Sequence, residues 1–208
     1  MNCSIDTFEA AGTDLLPTPS KSHYTFNLRD IWKVFQGICS LKSKKVTDPL
    51  VAMRCFCHEN VRVYGDRLTT DEDRAWLRGK LDGQLSSSFG IDPLKVFDKE
   101  RLVFADFMSS SGDRFYSEVD SMAAMKTIME GFLDDYNNMF SVPMPLVMFA
   151  DACEHVARVC RVLRQPSGNA LLLGVGGSGR QSLSRLASFM SEYPGFASDL
   201  FVYGEPFI

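Results

Sequence analysis

A glycine-rich stretch near residue 175 constrains the fold of this chain more than any other part of the sequence. An apolar run at 170–173 predicts a buried strand, and a glycine-dense turn follows at 174–179. A helix is then indicated by four apolar residues at helical spacing: Leu183, Leu186, Ala187 and Met190. This order aims backbone N–H groups and a helix N-terminus at a phosphate, and glycines let the backbone approach the anion. The stretch therefore predicts a nucleotide-phosphate cradle.

The P-loop is the first of two motifs that compete for these glycines. Gly174 and Gly179 have the spacing that it requires. Arg180, however, stands where the motif has lysine, and Gln181 stands where it has the magnesium-binding hydroxyl, so that Ser182 comes one residue late. The spacing of the glycines agrees with a P-loop, while the residues that follow depart from it.

The dinucleotide-binding pattern G-x-G-x-x-G is the second motif. Gly174, Gly176 and Gly179 satisfy it. It also requires an acidic residue about twenty positions later, at the end of the next strand. Asp199 lies at that distance but precedes the apolar run 200–203, whereas Glu205 follows it. Local spacing thus leaves three alternatives open: a P-loop, an NAD(P)-binding module, and a helical interaction module whose glycine loop is only a turn.

Charge and hydropathy exclude several classes of function. The formal net charge of −4 gives no electrostatic footprint for nucleic acid. No apolar run reaches the roughly 18 residues of a membrane helix. The N-terminus has no basic region followed by an apolar stretch, so we expect no secretory signal. Neither nucleic acid nor a membrane is therefore an expected partner.

The six cysteines do not resemble a disulfide framework. Four of them are predicted to be small buried hydrophobes on apolar helix faces: Cys39, Cys57, Cys153 and Cys160. The sequence Cys55-Phe-Cys57-His58 contains residue types that bind metal ions and could indicate a metal site. On a helix, however, Cys55 and Cys57 project about 200° apart, and no second ligand pair with zinc spacing exists. We predict no metal site.

The first half of the chain is predicted to be helical. Asn27 is a candidate N-cap, Asp48-Pro49 a second helix start, and Thr70 with Asp73 resembles a capping box. The first of these helices has a predicted apolar face of Leu28, Ile31, Trp32, Phe35, Ile38 and Cys39. The second has Leu50, Met53, Cys57, Val61, Tyr64 and Leu68. The third runs through Trp76, Leu77 and Leu81, and a loop is expected at 86–93.

The second half is predicted to contain a short strand at 102–107 and two further helices. Ser117 and Asp120 indicate the capped start of one helix, which continues through Met122, Met129, Phe132 and Tyr136. An amphipathic helix at 146–163 then precedes the glycine loop. The two apolar runs that end in Asp, 102–106 and 146–151, lie before the loop and lack a following Glu. ATP hydrolysis on a P-loop needs an acidic strand after the loop, so we predict no catalytic residue.

Several longer segments of the chain resemble a known family, which the spacing of the glycines alone does not identify. They are residues 15–37, 58–68, 71–72, Trp76, 145–149 and 164–179, which together cover roughly residues 10 to 190. In this order they resemble an internal piece of a dynein heavy chain of axonemal type, from the end of the third AAA+ module to the start of the fourth. The resemblance favours the P-loop over the dinucleotide motif.

The resemblance implies a mostly α fold with a partial α/β P-loop unit. An AAA+ helical lid subdomain at 1–110 would be followed by a linking helical region at 111–145. The N-terminal part of an AAA+ large subdomain would follow at 146–208. The last residues, 194–208, depart from the family's pattern.

The resemblance also implies a nucleotide site for ATP or ADP, in which Arg180 and Gln181 make the role of Mg²⁺ weak. The implied cofactor-binding residues are Arg29, Leu146, Val147, Gly174, Val175, Gly176, Gly177, Ser178, Gly179, Arg180, Gln181 and Ser182. Leu146 and Val147 would flank the adenine. Arg29 matches a lid arginine that reaches the third module's nucleotide, whose own phosphate loop would lie before Met1.

The parent implied by the resemblance is an ATP-driven microtubule motor of the cytoplasm, the cytoskeleton and the ciliary axoneme. Implied partners are the neighbouring AAA+ modules of the same heavy chain and other dynein complex subunits. Microtubules would be bound only through parts that this sequence does not contain. We expect the piece itself not to hydrolyse ATP.

Overall fold

The computed structural model describes residues 2–109 and 114–192, and these are mostly helical. The chain divides into two compact units, Met1–Phe104 and Ala105–Ile208. Within the described part, no helix combines the length and apolar character that crossing a membrane requires. Over the same residues, no group of three His, Cys, Asp or Glu is arranged to hold a metal ion.

The first unit consists of α-helices joined by short turns. They are α1 (Asn2–Asp14), α2 (Leu28–Cys39), α3 (Pro49–Val63), α4 (Asp71–Phe89) and the single turn α5 (Pro93–Val96). Two 3₁₀ turns, Ser43–Lys45 and Gly65–Arg67, flank α3. The core lies between α1, α2, α3 and α4 and includes Val34, Cys57, Tyr64, Leu77, Leu81 and Leu85. The sequence prediction missed α1, which carries no clear apolar stripe.

The three helix starts predicted in this unit are confirmed. The side chain of Asn27 accepts a hydrogen bond from the N–H of Arg29, and the Asp30 carboxylate accepts the N–H of Asn27 at 3.0 Å. Asp48 caps α3 by accepting the N–H of Leu50 at 2.8 Å. Thr70 accepts the Asp73 N–H at 3.3 Å and so begins α4. Each cap satisfies a backbone donor that the first helical turn leaves without a partner.

The predicted apolar face of α2 is wrong in part. Leu28 and Trp32 are 74% and 55% exposed, and Cys39 is exposed, whereas Asp30, Val34 and Gly37 are buried. The cause lies in the contact with α3. The fully buried Glu59 of α3 sits so close to Gly37 that a Cβ there would overlap its carboxylate. Close packing at a glycine thus rotates α2 away from its most apolar side.

Two further predictions in this unit need correction. The apolar stripe assigned to α3 extends past its end at Val63, so that Tyr64 and Leu68 are buried beyond the helix. Residues 86–89, predicted as loop, continue α4 to Phe89, and Gly90 ends the helix with φ +64°. Within this last part of α4 the hydroxyls of Ser86 and Ser87 donate to carbonyls one turn earlier, on Asp82 and Gly83, instead of competing for backbone groups in a turn.

The second unit, within the described residues, contains three helices. They are α6 (Met122–Met139), α7 (Ala150–Arg164) and α8 (Arg180–Met190). Two two-residue strands, β1 (Phe104–Ala105) and β2 (Ser117–Glu118), pair with each other. β1 lies inside the predicted strand 102–107 but is shorter. α7 contacts both α6 and α8, and rings of Tyr136, Phe140 and Phe189 meet where α6 and α8 pack.

Two helix starts in this unit differ from the prediction. α6 begins one turn later than predicted: its N-cap is Ser121, which accepts the Ala124 N–H, while Ser117 belongs to β2. α7 begins at Ala150 rather than at Leu146, with Phe149 at the N-cap and no side-chain cap. Leu146 therefore lies in the segment before α7, where its N–H donates to the carbonyl of Met144.

All six cysteines are free thiols. Cys57, Cys153 and Cys160 are buried as predicted, while Cys39 is exposed, which contradicts its predicted place on a buried face. Burial raises the pKa of the Cys57 and Cys160 thiols to about 12 each. At neutral pH these two thiols are therefore protonated and act as small apolar side chains.

Candidate functional site

The predicted phosphate loop forms the start of α8. Gly177 has φ +77° and Gly179 has φ +75°, a backbone conformation that residues with a Cβ rarely adopt. Gly179 is also the N-cap of α8, in the left-handed conformation. Two of the loop's glycines therefore meet a backbone requirement of the turn that leads into the helix.

The N-terminus of α8 has the properties of an anion site. No side chain caps it, and its first turn contains no acidic residue. The first N–H groups of a helix have no intrahelical acceptor, and the helix dipole adds partial positive charge at the same end. These N–H groups belong to Arg180, Gln181 and Ser182, the last three residues of the predicted loop. The arrangement favours a phosphate over a cation.

Arg180 lies across the loop. Its Nη2 donates to the carbonyl of Val175 at 3.3 Å, and the N–H of Ser178 donates to the same carbonyl at 3.3 Å. A Cβ added at Gly174 would meet the Ser178 hydroxyl at 3.0 Å and the Arg180 side chain at 3.5 Å. A guanidinium has five N–H donors, so one bond to Val175 leaves others for phosphate oxygens.

The strand predicted before the loop is not formed. Residues 170–173 adopt no regular secondary structure, and Leu171, Leu173 and Val175 are 85%, 83% and 80% exposed. An apolar strand of this kind is stabilised by neighbouring parallel strands and by cover on both faces. The only strands in the described residues, β1 and β2, pair with each other. The prediction of a strand at 170–173 is therefore wrong, because the described residues supply no partner strands for it.

Helix α8 itself matches the prediction. Leu183, Leu186, Ala187 and Met190 are buried, and Leu183 is tied to Gly179 by a backbone hydrogen bond of 2.9 Å. Cys160 of α7 lies 3.6 Å from the carbonyl of Ala187, where its thiol donates. The helix that carries the loop is thus fixed to α7 through its apolar face.

The remaining predicted site residues lie elsewhere. Leu146 is half-buried and Val147 is 78% exposed in the segment before α7. Arg29 is exposed at the start of α2, in the first unit, where its N–H donates to Asn27. Residues 174–182 are therefore contiguous in one loop and helix start, Leu146 and Val147 belong to the same unit, and Arg29 belongs to the other.

Sequence reasoning missed one ionic contact near the loop. Arg164, the last residue of α7, places Nη1 2.9 Å from Oδ2 of the buried Asp106. Asp106 was noted only as the end of an apolar run. No local pattern connects it with a residue so far along the chain, and only the folded structure reveals the pair.

Two family models match separate parts of the chain. The model of the AAA+ lid domain matches residues 4–85, which lie in the helical first unit. The model of the P-loop containing dynein motor region D4 matches residues 144–201, which include α7, the glycine loop and α8. The second match selects the P-loop over the dinucleotide motif. Nothing found favours the NAD(P)-binding alternative or that of a simple helical interaction module.

Relatives match nearly the whole chain. Dynein axonemal heavy chain 1 of Mus musculus is 45% identical over 201 residues, which are 96% of this chain and 5% of that protein. Dynein axonemal heavy chain 6 of Homo sapiens is 40% identical over 197 residues, or 93% of this chain and 5% of that protein. The chain thus spans about one twentieth of the length of these relatives.

The two family models follow one another in the order that the resemblance predicted, and the relatives cover the residues between them. The mostly helical architecture, with an AAA+ lid followed by the P-loop region, agrees with both. The chain therefore belongs to the axonemal dynein heavy chain family, and it carries an AAA+ lid region followed by the P-loop containing motor region D4.

Proposed function

We propose that residues 174–182 bind the phosphates of ATP or ADP. The observation that carries this proposal is the uncapped N-terminus of α8 directly behind a glycine loop with two positive φ angles. Anions are stabilised at such a terminus by free N–H groups and by the helix dipole. Arg180 supplies the one full positive charge in the loop. Leu146 and Val147 would contact the adenine, and Arg29 would act on the nucleotide of the preceding module.

The binding depends only weakly on Mg²⁺. A P-loop holds this ion through a Ser or Thr hydroxyl after its lysine, whereas Gln181 offers an amide oxygen at that position. Magnesium would otherwise neutralise the negative charge of the phosphates. Here the guanidinium of Arg180 neutralises part of that charge, and it can contact two phosphate oxygens at once. Arginine and glutamine together make the loop a nucleotide-holding rather than a hydrolytic site.

The proposed parent is an ATP-driven microtubule motor of the ciliary axoneme, within the cytoplasm and the cytoskeleton. We assign residues 1–110 to the lid of the third module, 111–145 to a linking region and 146–208 to the start of the fourth module. The partners of this piece are then the neighbouring modules of the same heavy chain, and other dynein subunits. Microtubules, on this proposal, are contacted by other parts of the motor. The piece should release no phosphate from ATP, because none of its apolar runs ends in Asp-Glu.

Calorimetric titration of the 208-residue chain with ADP, ATP and NAD, with and without Mg²⁺, tests the nucleotide proposal. We expect ADP and ATP to bind and NAD not to bind. Arg180→Ala should weaken ADP affinity about 10- to 150-fold, the equivalent of one charge-assisted contact. Gly177→Val should abolish binding, since a branched side chain resists the positive φ at this position.

The matched control is Arg185→Ala, which removes the same charge from an exposed position on the same helix. It should leave ADP affinity within about twofold, because a screened surface charge contributes little. An affinity unchanged by Arg180→Ala, or a complete requirement for Mg²⁺, would contradict the proposed mode of binding. Tight binding of NAD alone would restore the dinucleotide alternative.

A further inference from the structure

The segment that leads into the glycine loop starts from an ionic anchor. Asp106, buried just after β1, lies 2.9 Å from Nη1 of Arg164, while the Arg164 side chain remains 43% exposed. Asp106 Oδ2 has no aligned hydrogen-bond donor among the described residues, so the contact is an attraction between charges rather than a directed bond. A buried carboxylate without its counter-ion is costly, which favours keeping Arg164 in this place.

A tight turn follows the anchor immediately. Gly168 packs so closely on the last turn of α7 that a Cβ would overlap the carbonyl of Val162. Its N–H donates to the carbonyl of Gln165 at 2.9 Å, and Ser167 has φ +56°. Asn169 then donates through its side chain to the carbonyl of Ser167 at 2.8 Å. The direction in which the chain leaves α7 is therefore fixed over the first residues after Arg164.

The other end of the loop is fixed as well. α8 packs on α7 through buried residues and through the contact of Cys160 with the carbonyl of Ala187. Residues 169–178 thus form a connection whose ends are held on one helix pair. Exposed apolar residues in this connection leave it few contacts of its own. Its course consequently depends on how firmly each end is held.

We propose that Asp106 and Arg164 are positioning residues for the phosphate loop. By holding the end of α7, the pair keeps the tight turn at Gly168 closed and sets the span that the loop must cross to reach α8. Loss of the pair releases the first anchor, so that the backbone of 169–178 becomes free to move relative to the N-terminus of α8. This inference rests on the proposed phosphate binding, but it predicts a change in the loop that is measurable without nucleotide.

The test compares Asp106→Asn, Arg164→Gln and Arg164→Lys with Glu154→Gln. Glu154→Gln is the matched control because it breaks the ion pair of Glu154 with Arg158, 3.1 Å apart and within α7. Hydrogen exchange of peptides covering 165–180 is measured at a temperature well below unfolding, and ADP affinity is measured by calorimetry. Thermal unfolding of each variant reports any general loss of stability.

We expect Asp106→Asn and Arg164→Gln to accelerate exchange in 165–180 and to weaken ADP binding about 3- to 30-fold, the range that coupled residues outside a site produce. Arg164→Lys keeps the positive charge, so it should retain the wild-type exchange rate in 165–180 and the wild-type ADP affinity. Glu154→Gln should change neither. If the pair only stabilised the fold, Asp106→Asn and Arg164→Gln would lower the unfolding temperature but leave exchange in 165–180 and ADP affinity at the wild-type level. That result would overturn the inference.

The exchange experiment separates this inference from the nucleotide proposal. If the wild-type chain binds no ADP, the proposed function fails, and faster exchange at 165–180 in Asp106→Asn still supports the positioning role. If ADP binds and Asp106→Asn changes neither exchange nor affinity, the positioning role fails and the nucleotide proposal stands.

Discussion

Gly37 illustrates how a single residue decides which face of a helix is buried. The carboxylate of Glu59 occupies the space that a side chain at residue 37 would need, and Glu59 is itself fully buried and has little room to turn away. Gly37→Ala should therefore lower the free energy of unfolding by about 1–3 kcal/mol, as overpacking in a core does. Urea denaturation measures the difference.

Gly83→Ala is the control for this prediction. Gly83 lies on α4, and a Cβ there would meet nothing within 4 Å. Alanine is the better helix former, so this variant should raise the free energy of unfolding by about 0.5–1 kcal/mol. If both variants changed stability equally, the close contact between α2 and α3 would not explain the buried face of α2.

The ionised carboxylate of Asp73 makes the stability of the first unit depend on pH. Its Oδ2 accepts hydrogen bonds from Lys21 Nζ at 2.5 Å and Tyr24 hydroxyl at 2.7 Å, and these bonds lower the carboxyl pKa below its ordinary 3.8. A carboxyl whose folded-state pKa is depressed stabilises the fold above the ordinary value. That stabilisation is lost as the pH falls from about 3.8 through the lower folded-state pKa.

Asp73→Asn should therefore lower the unfolding temperature at neutral pH, and its deficit relative to wild type should shrink as the pH falls below the ordinary carboxyl value. Thermal unfolding followed by circular dichroism between about pH 7 and about pH 2 measures this convergence. Asp71→Asn, at an exposed position on the same helix, should leave the profile parallel to wild type. A deficit of Asp73→Asn that persisted unchanged in acid would contradict the assigned pKa shift.

At the scale of elements, the sequence predicted helix starts better than buried faces in the first unit. The caps Asn27, Asp48 and Thr70 depend on donors within three residues, so they are readable locally. The face that α2 buries depends instead on Gly37 meeting Glu59, which is a tertiary contact. The strand at 170–173 likewise needs partner strands. Local patterns therefore identified most of the helices, while tertiary contacts decided which faces are buried and whether the strand forms.

Helix α6 offers a direct test of a corrected element. The structure moves its N-cap from the predicted Ser117 to Ser121, whose hydroxyl accepts the Ala124 N–H at 3.3 Å. Ser121→Ala should lower the free energy of unfolding by about 0.5–2 kcal/mol, the usual cost of losing a cap. Ser117→Ala, in β2, should cost less. If chemical denaturation showed a larger loss of stability for Ser117→Ala than for Ser121→Ala, the result would favour the predicted helix start at Ser117.

At the scale of the whole chain, the glycine loop could not be assigned from its own spacing, because Gly174, Gly176 and Gly179 fit two motifs. The order of distant segments resolved the question, since the lid and the P-loop region match separate family models. Neither the local spacing nor the order of the segments predicted the Asp106–Arg164 ion pair. Its two residues meet only in the folded second unit, and neither has a recognisable local signature.

The second unit exposes much apolar surface, and this predicts how the isolated chain behaves. Exposed large apolar side chains include Val142, Val147, Phe149, Leu171, Leu173 and Val175. Leu171 and Leu173 belong to a segment with the pattern of a central strand but without a partner strand in the described residues. An unpaired apolar segment is a template for pairing with another chain, and contiguous apolar surface marks an interaction site. We therefore expect the purified chain to self-associate or to bind a chaperone.

Light scattering coupled to size-exclusion chromatography, together with binding of a hydrophobic dye, measures this association. The double variant Leu171→Asp/Leu173→Asp should shift the chain towards the monomer and reduce dye binding, because charged side chains oppose strand pairing between copies. Ala123→Asp/Ala124→Asp is the control: it adds the same two charges at exposed positions in the first turn of α6, in the same unit. If strand pairing rather than net charge drives the association, this variant should associate as the wild type does. A wild-type chain that elutes as a monodisperse monomer and binds no dye would contradict this prediction, because Leu171 and Leu173 would then not act as a surface for association.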